Sequence, residues 1–295
     1  MIKSISDSCK YHEDASLFRD AVIATAREHG FRTSLVEKDY YCSLLLAYLC
    51  NDSKTSMVFK GGTALSKVYT DFYRLSEDLD FVIPVQIDSA RSVRSKAAKP
   101  LKSIIDGIPE VFPNMRIEES LIGHNNSKQY IAFAAYPSAV AEQAQHIKIE
   151  IGLREEIERP VEQGTIRTLL RDPFKKTPVL PEFHISVMAF HETYAEKVRA
   201  ALTRRTPAIR DFFDIFHAVK TLKLDVFEDQ FLKLVSKKLK VPDNGPVDVS
   251  SPKKKLLNTQ MEVELRSVLN QKDYEQFNLD ESFEIVSTIA GKLDN

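Results

Sequence analysis

The sequence predicts an α+β fold in which a mixed sheet flanked by helices is followed by a helical C-terminal domain. Short apolar or alternating segments typical of β-strands recur between residues 57 and 152. Helical periodicity dominates from Ser186 onward, and a proline-rich stretch at residues 158–184 separates the two patterns. We therefore expect one domain at residues 1–180, with helices at its N-terminus, and a helical domain at residues 181–295.

Individual elements follow from the spacing of apolar residues. Residues 14–50 predict two helices that end at Asn51-Asp52-Ser53, and Thr206-Pro207 predicts an N-cap followed by proline in the first helical position. Ile147, Ile149 and Ile151 alternate with polar residues and predict a strand. Further helices are expected at 63–72 and 86–111, further strands at 57–59, 78–83, 115–121 and 129–136, and a surface loop at 241–252.

Composition limits the classes of function. Hydrophobic residues make up 43% of the 295 residues, which suits a protein with a substantial core. Apolar runs such as Leu44 to Tyr48 fall far short of the ~20 residues that a membrane span needs, so we expect a cytoplasmic protein with no membrane partner. The net charge of −1 gives no general argument for nucleic-acid binding, and Cys9, Cys42 and Cys50 show no zinc-like spacing.

The most informative stretch begins with a glycine pair between a strand and a helix. Gly61 and Gly62 have no side chains to obstruct a ligand, and backbone N–H groups at a helix start can bind phosphate oxygens. Thr63 and Ser66 add hydroxyls, and Lys67 adds a cation. We therefore predict that these five residues bind a nucleotide, although the spacing of a P-loop is absent.

Two carboxylates follow on the next strand. Asp78 and Asp80 are two residues apart, so both side chains are expected on one face, opposite Leu79 and Phe81. Carboxylates this close repel each other unless a cation joins them, and hard oxygen ligands suit Mg²⁺ or Mn²⁺. Glu150, on the alternating strand, is a candidate third carboxylate if its strand neighbours this one. That arrangement would suit two-metal phosphoryl transfer from a nucleoside triphosphate.

Each of these features also has an ordinary structural interpretation. A glycine pair is often only a turn, an Asp-x-Asp on a strand is often only solvated, and Glu150 could simply pair with Lys148. The combination of glycine turn, helix and Asp-x-Asp in one local unit favours the functional interpretation.

A second group of charged residues lies in the helical region. Between residues 190 and 240 there are eleven Lys or Arg and seven Asp or Glu. An ordinary charged helical surface would explain this pattern. The functional alternative is that Lys197 contacts a triphosphate while Arg204 and Arg210 position it or the acceptor. Asp211 and Asp214, three residues apart, are neighbours on one helix, and Asp214 is another candidate third carboxylate.

These two groups of residues resemble the AbiEii family of nucleotidyltransferase toxins, relatives of the mycobacterial MenT toxins. The resemblance spans roughly residues 35–216, and the segment after about Leu222 shows none. The matching residues are Val36 to Tyr40, Gly61 to Lys67, Arg74 to Asp80, Glu196-Lys197, Arg204, Arg210-Asp211 and Asp214.

The resemblance implies a polymerase-beta-like nucleotidyltransferase core, a nucleoside triphosphate substrate and Mg²⁺. It implies that Asp78 and Asp80 hold the metal and that Lys197 and Asp211 are catalytic. It also implies a toxin of phage defence, partnered by an antitoxin from a neighbouring gene, that transfers nucleotides to tRNA 3′ ends or another RNA. Transfer to a protein or small-molecule hydroxyl, and an inert interaction protein of the same fold, remain the alternatives.

Overall fold

The computed structural model describes residues 10–50, 56–86 and 88–293. The chain divides into two compact units, which we call the sheet unit and the helical unit. The sheet unit comprises Met1–Ile157 and Val161–Met188, and the helical unit comprises Glu158–Pro160 and Ala189–Asn295. Cys9 and the predicted helix end at Asn51-Asp52-Ser53 lie outside the described residues.

Among its described residues, the sheet unit contains seven strands, five α-helices and a short 3-10 helix at Tyr11–Glu13. The helices are α1 (Ala15–His29), α2 (Thr33–Leu49), α3 (Gly61–Ala64, continued by a π-helical turn at Leu65–Tyr69), α4 (Arg91–Asp106) and α5 (Ile108–Val111). The strands are β1 (Val58–Lys60), β2 (Leu79–Val82), β3 (Arg116–His124), β4 (Gln129–Tyr136), β5 (Gln145–Gly152), β6 (Glu162–Ile166) and β7 (Phe183–Val187).

These strands form one mixed sheet in the order β3-β4-β5-β2-β1-β7-β6. The centre of the sheet is β2, which pairs antiparallel with β1 and parallel with β5. Ile147, Ile149 and Ile151 on β5 are fully buried, as their alternation predicts. The predicted α+β class with a mixed sheet is confirmed.

The two N-terminal helices end and begin where their sequences require. Asp14 caps α1 by accepting the N–H of Leu17, and Gly30, at φ 73°, ends that helix in the left-handed conformation. Helix α2 is buried along most of its length and includes the charged Glu37 and Asp39 in its buried set. Buried charges of this kind need partners. The partner of Asp39 is Lys67, a residue of the predicted site, whereas Glu37 accepts hydrogen bonds from Ser138 and Ala139.

The expectation of a connecting segment at residues 158–184, with helix from Ser186, is wrong. Residues 162–166 form β6, which pairs antiparallel with β7, and β7 lies parallel to β1 through the pair Phe59 and Val187. The chain passes to the helical unit after Met188. The strands were missed because prolines surround them and β6 is only five residues long.

The helical unit contains six helices among its described residues, which continue to residue 293. They are α6 (Phe190–Thr203), α7 (Ile209–Lys220), α8 (Asp229–Leu239), α9 (Ser251–Gln260, continued by a π-helical turn at Met261–Leu265), α10 (Gln271–Gln276) and α11 (Leu279–Leu293). Helix α6 packs against α7 and α8, and α11 packs against α7. No helix in the described part of the chain is long and apolar enough to cross a membrane.

Buried polar side chains fix the ends of these helices. The ammonium of Lys253 donates to the carbonyls of Ala201 (2.6 Å) and Leu202 (3.2 Å) at the end of α6. The predicted N-cap at Thr206-Pro207 is wrong, because α7 begins two residues later at Ile209. Gln260 replaces that cap: its amide oxygen accepts the N–H of Ile209 at 2.8 Å, and its amide group donates to the Pro207 carbonyl at 2.9 Å.

Candidate active site

The turn at Gly61 and Gly62 brings its backbone close to Asp80 on β2. Gly61 has φ 79°, a conformation that L side chains rarely adopt, and a Cβ built there would lie 2.3 Å from Oδ2 of Asp80. A Cβ on Gly62 would lie 2.6 Å from a guanidinium nitrogen of Arg74. Gly61 therefore requires glycine, a side chain at Gly62 would have to displace the Arg74 guanidinium and the Ser76 hydroxyl, and the turn lies directly beside the Asp80 carboxylate.

Asp78 and Asp80 flank a residue that is fully buried. Leu79 and Phe81 point into the core, whereas Asp78 and Asp80 are partly exposed, which agrees with the predicted alternation. The hydroxyl of Thr63 donates to the Asp78 carbonyl at 2.5 Å and so ties the glycine turn to this strand. Thr63 thus positions the backbone of Asp78, and this hydroxyl is already used within the protein.

Glu150 lies beside Asp80, as the sequence predicted it would if the strands were neighbours. The register of β2 and β5 pairs Asp80 with Glu150 directly. The ammonium of Lys148 forms an ion pair with one oxygen of Glu150, and Gln129 donates to the other oxygen at 2.6 Å. The pairing with Lys148 that the sequence left open is therefore present.

Electrostatics in this cluster keep Glu150 and Lys148 charged. Burial raises the pKa of Glu150, but Lys148, Gln129 and Lys60 lower it, and the pKa ends below its ordinary value. Burial lowers the pKa of Lys148, but Glu150, Asp78 and Asp80 raise it, and the pKa ends above its ordinary value. Lys148 therefore lies within electrostatic reach of all three carboxylates and remains an ammonium at neutral pH.

The donor set fits a hard divalent cation that shares its coordination with a substrate. Asp78 and Asp80 offer carboxylate oxygens beside an open glycine turn, and Mg²⁺ commonly binds through one or two carboxylates plus substrate phosphates. Within the described ranges, no group of three or more His, Cys, Asp or Glu side chains is arranged to hold a metal ion. Substrate oxygens would have to complete the coordination.

The side chains of Lys67 and Ser66, which were predicted to bind a nucleotide, are instead buried and hydrogen-bonded within the protein. Lys67 is fully buried, and its ammonium donates to Asp39 Oδ1 at 2.6 Å, the Asp39 carbonyl at 3.2 Å and the Ser43 hydroxyl at 2.8 Å. These three bonds use all three donors of the ammonium, so Lys67 stabilises the fold, and its predicted contact with phosphate would require some of these bonds to break. The buried Ser66 hydroxyl likewise donates its proton within the protein, to the Arg74 carbonyl at 2.7 Å.

The early segment that resembles the family supports both motif blocks. Glu37 accepts bonds from the Ser138 hydroxyl and the Ala139 N–H, at 2.5 and 2.6 Å. Lys38 pairs with Glu77, the residue before Asp78, at 3.0 Å, and Asp39 pairs with Lys67. Sequence analysis missed these roles because the partners lie 28 to 102 residues away in the chain.

Lys148 and Lys60 are further residues of the site that sequence analysis did not predict. Lys60 pairs in register with Asp80, and its ammonium lies 2.8 Å from the buried carboxylate of Glu155. The signal for Lys148 was its spacing of two residues from Glu150 on an alternating strand, which places both side chains on one face.

The helical unit contains a separate cluster of four charged side chains. Lys197 lies 3.0 Å from Asp211 Oδ1 and 2.9 Å from Asp214 Oδ2, and the Arg204 guanidinium lies 3.0 Å from Asp211 Oδ2. Asp214 is fully buried and Asp211 nearly so, whereas Arg204 is half exposed. Burial raises the pKa of Asp211, but Lys197 and Arg204 lower it, and the pKa ends below its ordinary value.

Of the five charged residues predicted to act together in the helical region, the structure brings together all but Arg210. Arg210 is half buried and makes no ion pair with any other residue of the described chain. Lys197, Arg204, Asp211 and Asp214 form a cluster whose opposite charges balance. It presents a cation on a partly solvent-exposed surface, which suits contact with an anionic ligand.

Comparison with known proteins agrees with this geometry. The sequence model of a family described as "Nucleotidyl transferase AbiEii toxin, Type IV TA system" matches residues 43–286. This chain belongs to the AbiEii family. Membership makes it a nucleotidyltransferase toxin that uses a nucleoside triphosphate and has an antitoxin partner. The match also extends well past Leu222, so the expectation that the last segment lies outside the resemblance is wrong.

Solved structures show the same fold. The AbiEii chain is similar to JHP933 from Helicobacter pylori, with 20% identity, a TM-score of 0.50, and coverage of 90% of this chain and 95% of the other. It is also similar to a proposed nucleotidyltransferase from H. pylori, with 18% identity, a TM-score of 0.51, and coverage of 90% and 98%. Among curated proteins, no relative matches the sequence.

Proposed function

We propose that this AbiEii protein transfers a nucleotide from a nucleoside triphosphate to the 3′ hydroxyl of an RNA, with tRNA as the leading candidate, in a metal-dependent reaction. The observation that carries the proposal is the position of Asp80. It lies beside the Gly61 turn and pairs in register with Glu150 on the neighbouring strand, and Asp78 lies two residues earlier, just before β2 begins. A glycine turn beside paired carboxylates is suited to hold a triphosphate together with a cation.

Asp78 and Asp80 would hold Mg²⁺ or Mn²⁺, with phosphate oxygens as the remaining ligands. A cation held by these two carboxylates would supply the positive charge that offsets their repulsion of the triphosphate and the charge of the transferred phosphoryl group. The backbone of Gly61 and Gly62 approaches the nucleotide without side chains in the way. Thr63 holds the Asp78 strand against this turn.

The reaction is an in-line substitution at the alpha-phosphorus. The acceptor oxygen forms a bond to this phosphorus, the bond to the oxygen bridging the alpha and beta phosphorus atoms breaks, and pyrophosphate leaves with that oxygen. The hydroxyl proton passes to a carboxylate, for which Glu150 and Asp211 are the candidates. Lys197 is proposed to neutralise triphosphate charge and Arg204 and Arg210 to position a substrate, roles that rest on the resemblance to the family.

A groove in the sheet unit supports RNA as the acceptor. It has a volume of about 470 Å³ and is lined by Lys96, Lys99 and Lys102, which recur every three residues along α4, and by Tyr130. These lysines are exposed and make no ion pairs with other described residues. Unpaired cations attract a phosphate backbone, and an aromatic ring offers a surface on which a base can stack.

Two other acceptors are compatible with the same fold. A protein hydroxyl or a small-molecule hydroxyl could take the nucleotide, and a catalytically inert interaction protein would take none. The basic groove favours RNA over a protein hydroxyl and over a small-molecule hydroxyl. The paired carboxylates at a glycine turn argue against an inert interaction protein.

Incubation with each labelled nucleoside triphosphate and total RNA, with and without Mg²⁺, tests the proposal. Label on RNA that requires a divalent cation supports it. Label on protein or on small molecules, or no label in any condition, contradicts it. Asp78→Asn and Asp80→Asn should abolish labelling while melting remains cooperative, and full activity in either folded variant would remove the metal assignment.

The groove is tested by replacing Lys96, Lys99 and Lys102 together with Gln. RNA affinity should fall, and its dependence on salt should weaken, because fewer counterions are released on binding. A matched control replaces the exposed Lys175, Lys255 and Lys272 with Gln and changes the net charge equally. Equal loss of affinity in both triple variants would show that the groove has no special role.

A further inference from the structure

We propose that Lys148 takes the place of a second metal ion, so that the site binds one divalent cation through Asp78 and Asp80. Glu150 then serves as the partner of Lys148 and is not a metal ligand. This inference rests on the proposed metal-dependent transfer and replaces the two-metal arrangement that three carboxylates alone would suggest.

The strands determine where the Lys148 ammonium lies. Lys148 and Glu150 are two residues apart on β5, so their side chains emerge from the same face of the sheet. The register then brings Asp80 level with Glu150 on the adjacent strand. Lys148 therefore lies on the same face of β5 as Glu150, and Glu150 in turn is level with Asp80 on β2.

The oxygens of Glu150 are already satisfied. Lys148 holds one, and the Gln129 amide holds the other at 2.6 Å. In a two-metal site the ions lie roughly 3.5–4 Å apart and share carboxylates. A second cation here would have to displace an ammonium from Glu150 and would be repelled by it at the same time.

The position of Lys148 suits the work of the missing ion. An ammonium has three donors and no acceptor, so it can hold Glu150 with one N–H and offer others to an oxygen of the acceptor or of the alpha-phosphate. In the substitution described above it would supply positive charge beside the attacking oxygen. Gln129 keeps Glu150 oriented while one donor of Lys148 turns to the substrate.

The number of bound metal ions gives a readout that is independent of turnover. Mn²⁺ binding is measured on the full chain by electron paramagnetic resonance, with a non-hydrolysable nucleoside triphosphate analogue. Asp78→Asn/Asp80→Asn provides the background from metal held by the nucleotide alone. Two ions sharing ligands give a spin-coupled spectrum, whereas a single ion gives an uncoupled one.

We expect one uncoupled Mn²⁺ per wild-type chain and a second, spin-coupled Mn²⁺ in Lys148→Met, where Glu150 is released. Lys148→Arg should keep one ion. Glu150→Gln should also keep one ion with near-normal affinity, and this variant decides the question if Lys148→Met does not fold.

Two coupled ions in the wild type, an unchanged single ion in folded Lys148→Met, or loss of Mn²⁺ in Glu150→Gln would each overturn the inference. In those cases RNA labelling by the wild type would still stand, so the proposed function would survive. Absence of any Mn²⁺ above background in the wild type would contradict both the inference and the proposed metal dependence.

Discussion

Lys67 in the sheet unit and Lys197 in the helical unit are both lysines of family-like motifs that are held by carboxylates. They differ in exposure. Lys67 and Asp39 are at most 2% exposed, and every donor of Lys67 is bonded within the protein. Lys197 is 12% exposed, and its neighbour Arg204 is 51% exposed. A ligand can reach the second cluster but not the first, so a motif lysine can stabilise the fold in one place and be available for a substrate in another.

The largest effect is expected from Lys67→Met. The change leaves the Asp39 carboxylate buried without its counter-charge, which costs about 3–5 kcal/mol, a large part of the roughly 5–15 kcal/mol that stabilises a typical domain. Denaturant unfolding measures the loss. Adding Asp39→Asn should recover part of it, since the remaining amide oxygen can still accept the Leu169 N–H. A stable but inactive Lys67→Met would contradict the structural role.

Lys197→Met should lower both turnover and stability, because the fully buried Asp214 loses its ion pair with Lys197. Loss of one cation aimed at a reacting phosphate typically lowers kcat by about 10²–10³-fold, and Arg204 remains to neutralise Asp211. Rates at several nucleotide concentrations, with melting curves, separate this from unfolding. The control is Lys220→Met, which removes only a surface ion pair with Glu281, worth about 0–1 kcal/mol. Near-normal turnover in Lys197→Met would remove Lys197 from the catalytic residues.

The difference between the two lysines marks how far the sequence predicts this site. Alternation along β5 predicts that Glu150 points away from the core, because a local pattern fixes the face of a strand. That Asp80 and Glu150 lie side by side depends on the pairing of β2 with β5, which the sequence left as a condition and the structure supplies. The location of Lys67 depends on Asp39, 28 residues earlier on another helix, and no local pattern contains that contact. Strands β6 and β7 were missed for a related reason, since β7 joins the sheet through a long-range parallel pairing with β1.

Gly61→Ala tests whether the glycine turn acts in substrate transfer, as proposed for Lys197, or only stabilises the fold, as Lys67 does. A positive φ costs a non-glycine residue about 1–2 kcal/mol, and the new Cβ would push the Asp80 carboxylate from its position. We expect a modest loss of stability and a much larger loss of transfer. Gly291→Ala is the matched control, because a Cβ there meets no atom within 4 Å and should be neutral or slightly stabilising. Equal activity in the two variants would show that the turn does not position Asp80.

The smallest expected effect is a pH dependence of the Lys197 cluster. In the wild type the folded-state pKa of Asp211 lies below its unfolded value, because Lys197 and Arg204 outweigh burial and the neighbouring Asp214. Asp211 therefore contributes stability above its unfolded pKa and loses it as the pH falls through the lower folded pKa.

In Lys197→Met, burial and Asp214 are opposed only by Arg204 and, more weakly, by the buried Lys253. The pKa of Asp211 should then rise, and protonation should relieve the uncompensated charge as the pH falls. Each unit of this rise corresponds to about 1.4 kcal/mol. Urea unfolding across acidic to neutral pH should show a gap between wild type and variant that is widest near neutrality and narrows in acid. A gap that stays constant with pH would mean that Lys197 acts there through packing and not through its charge.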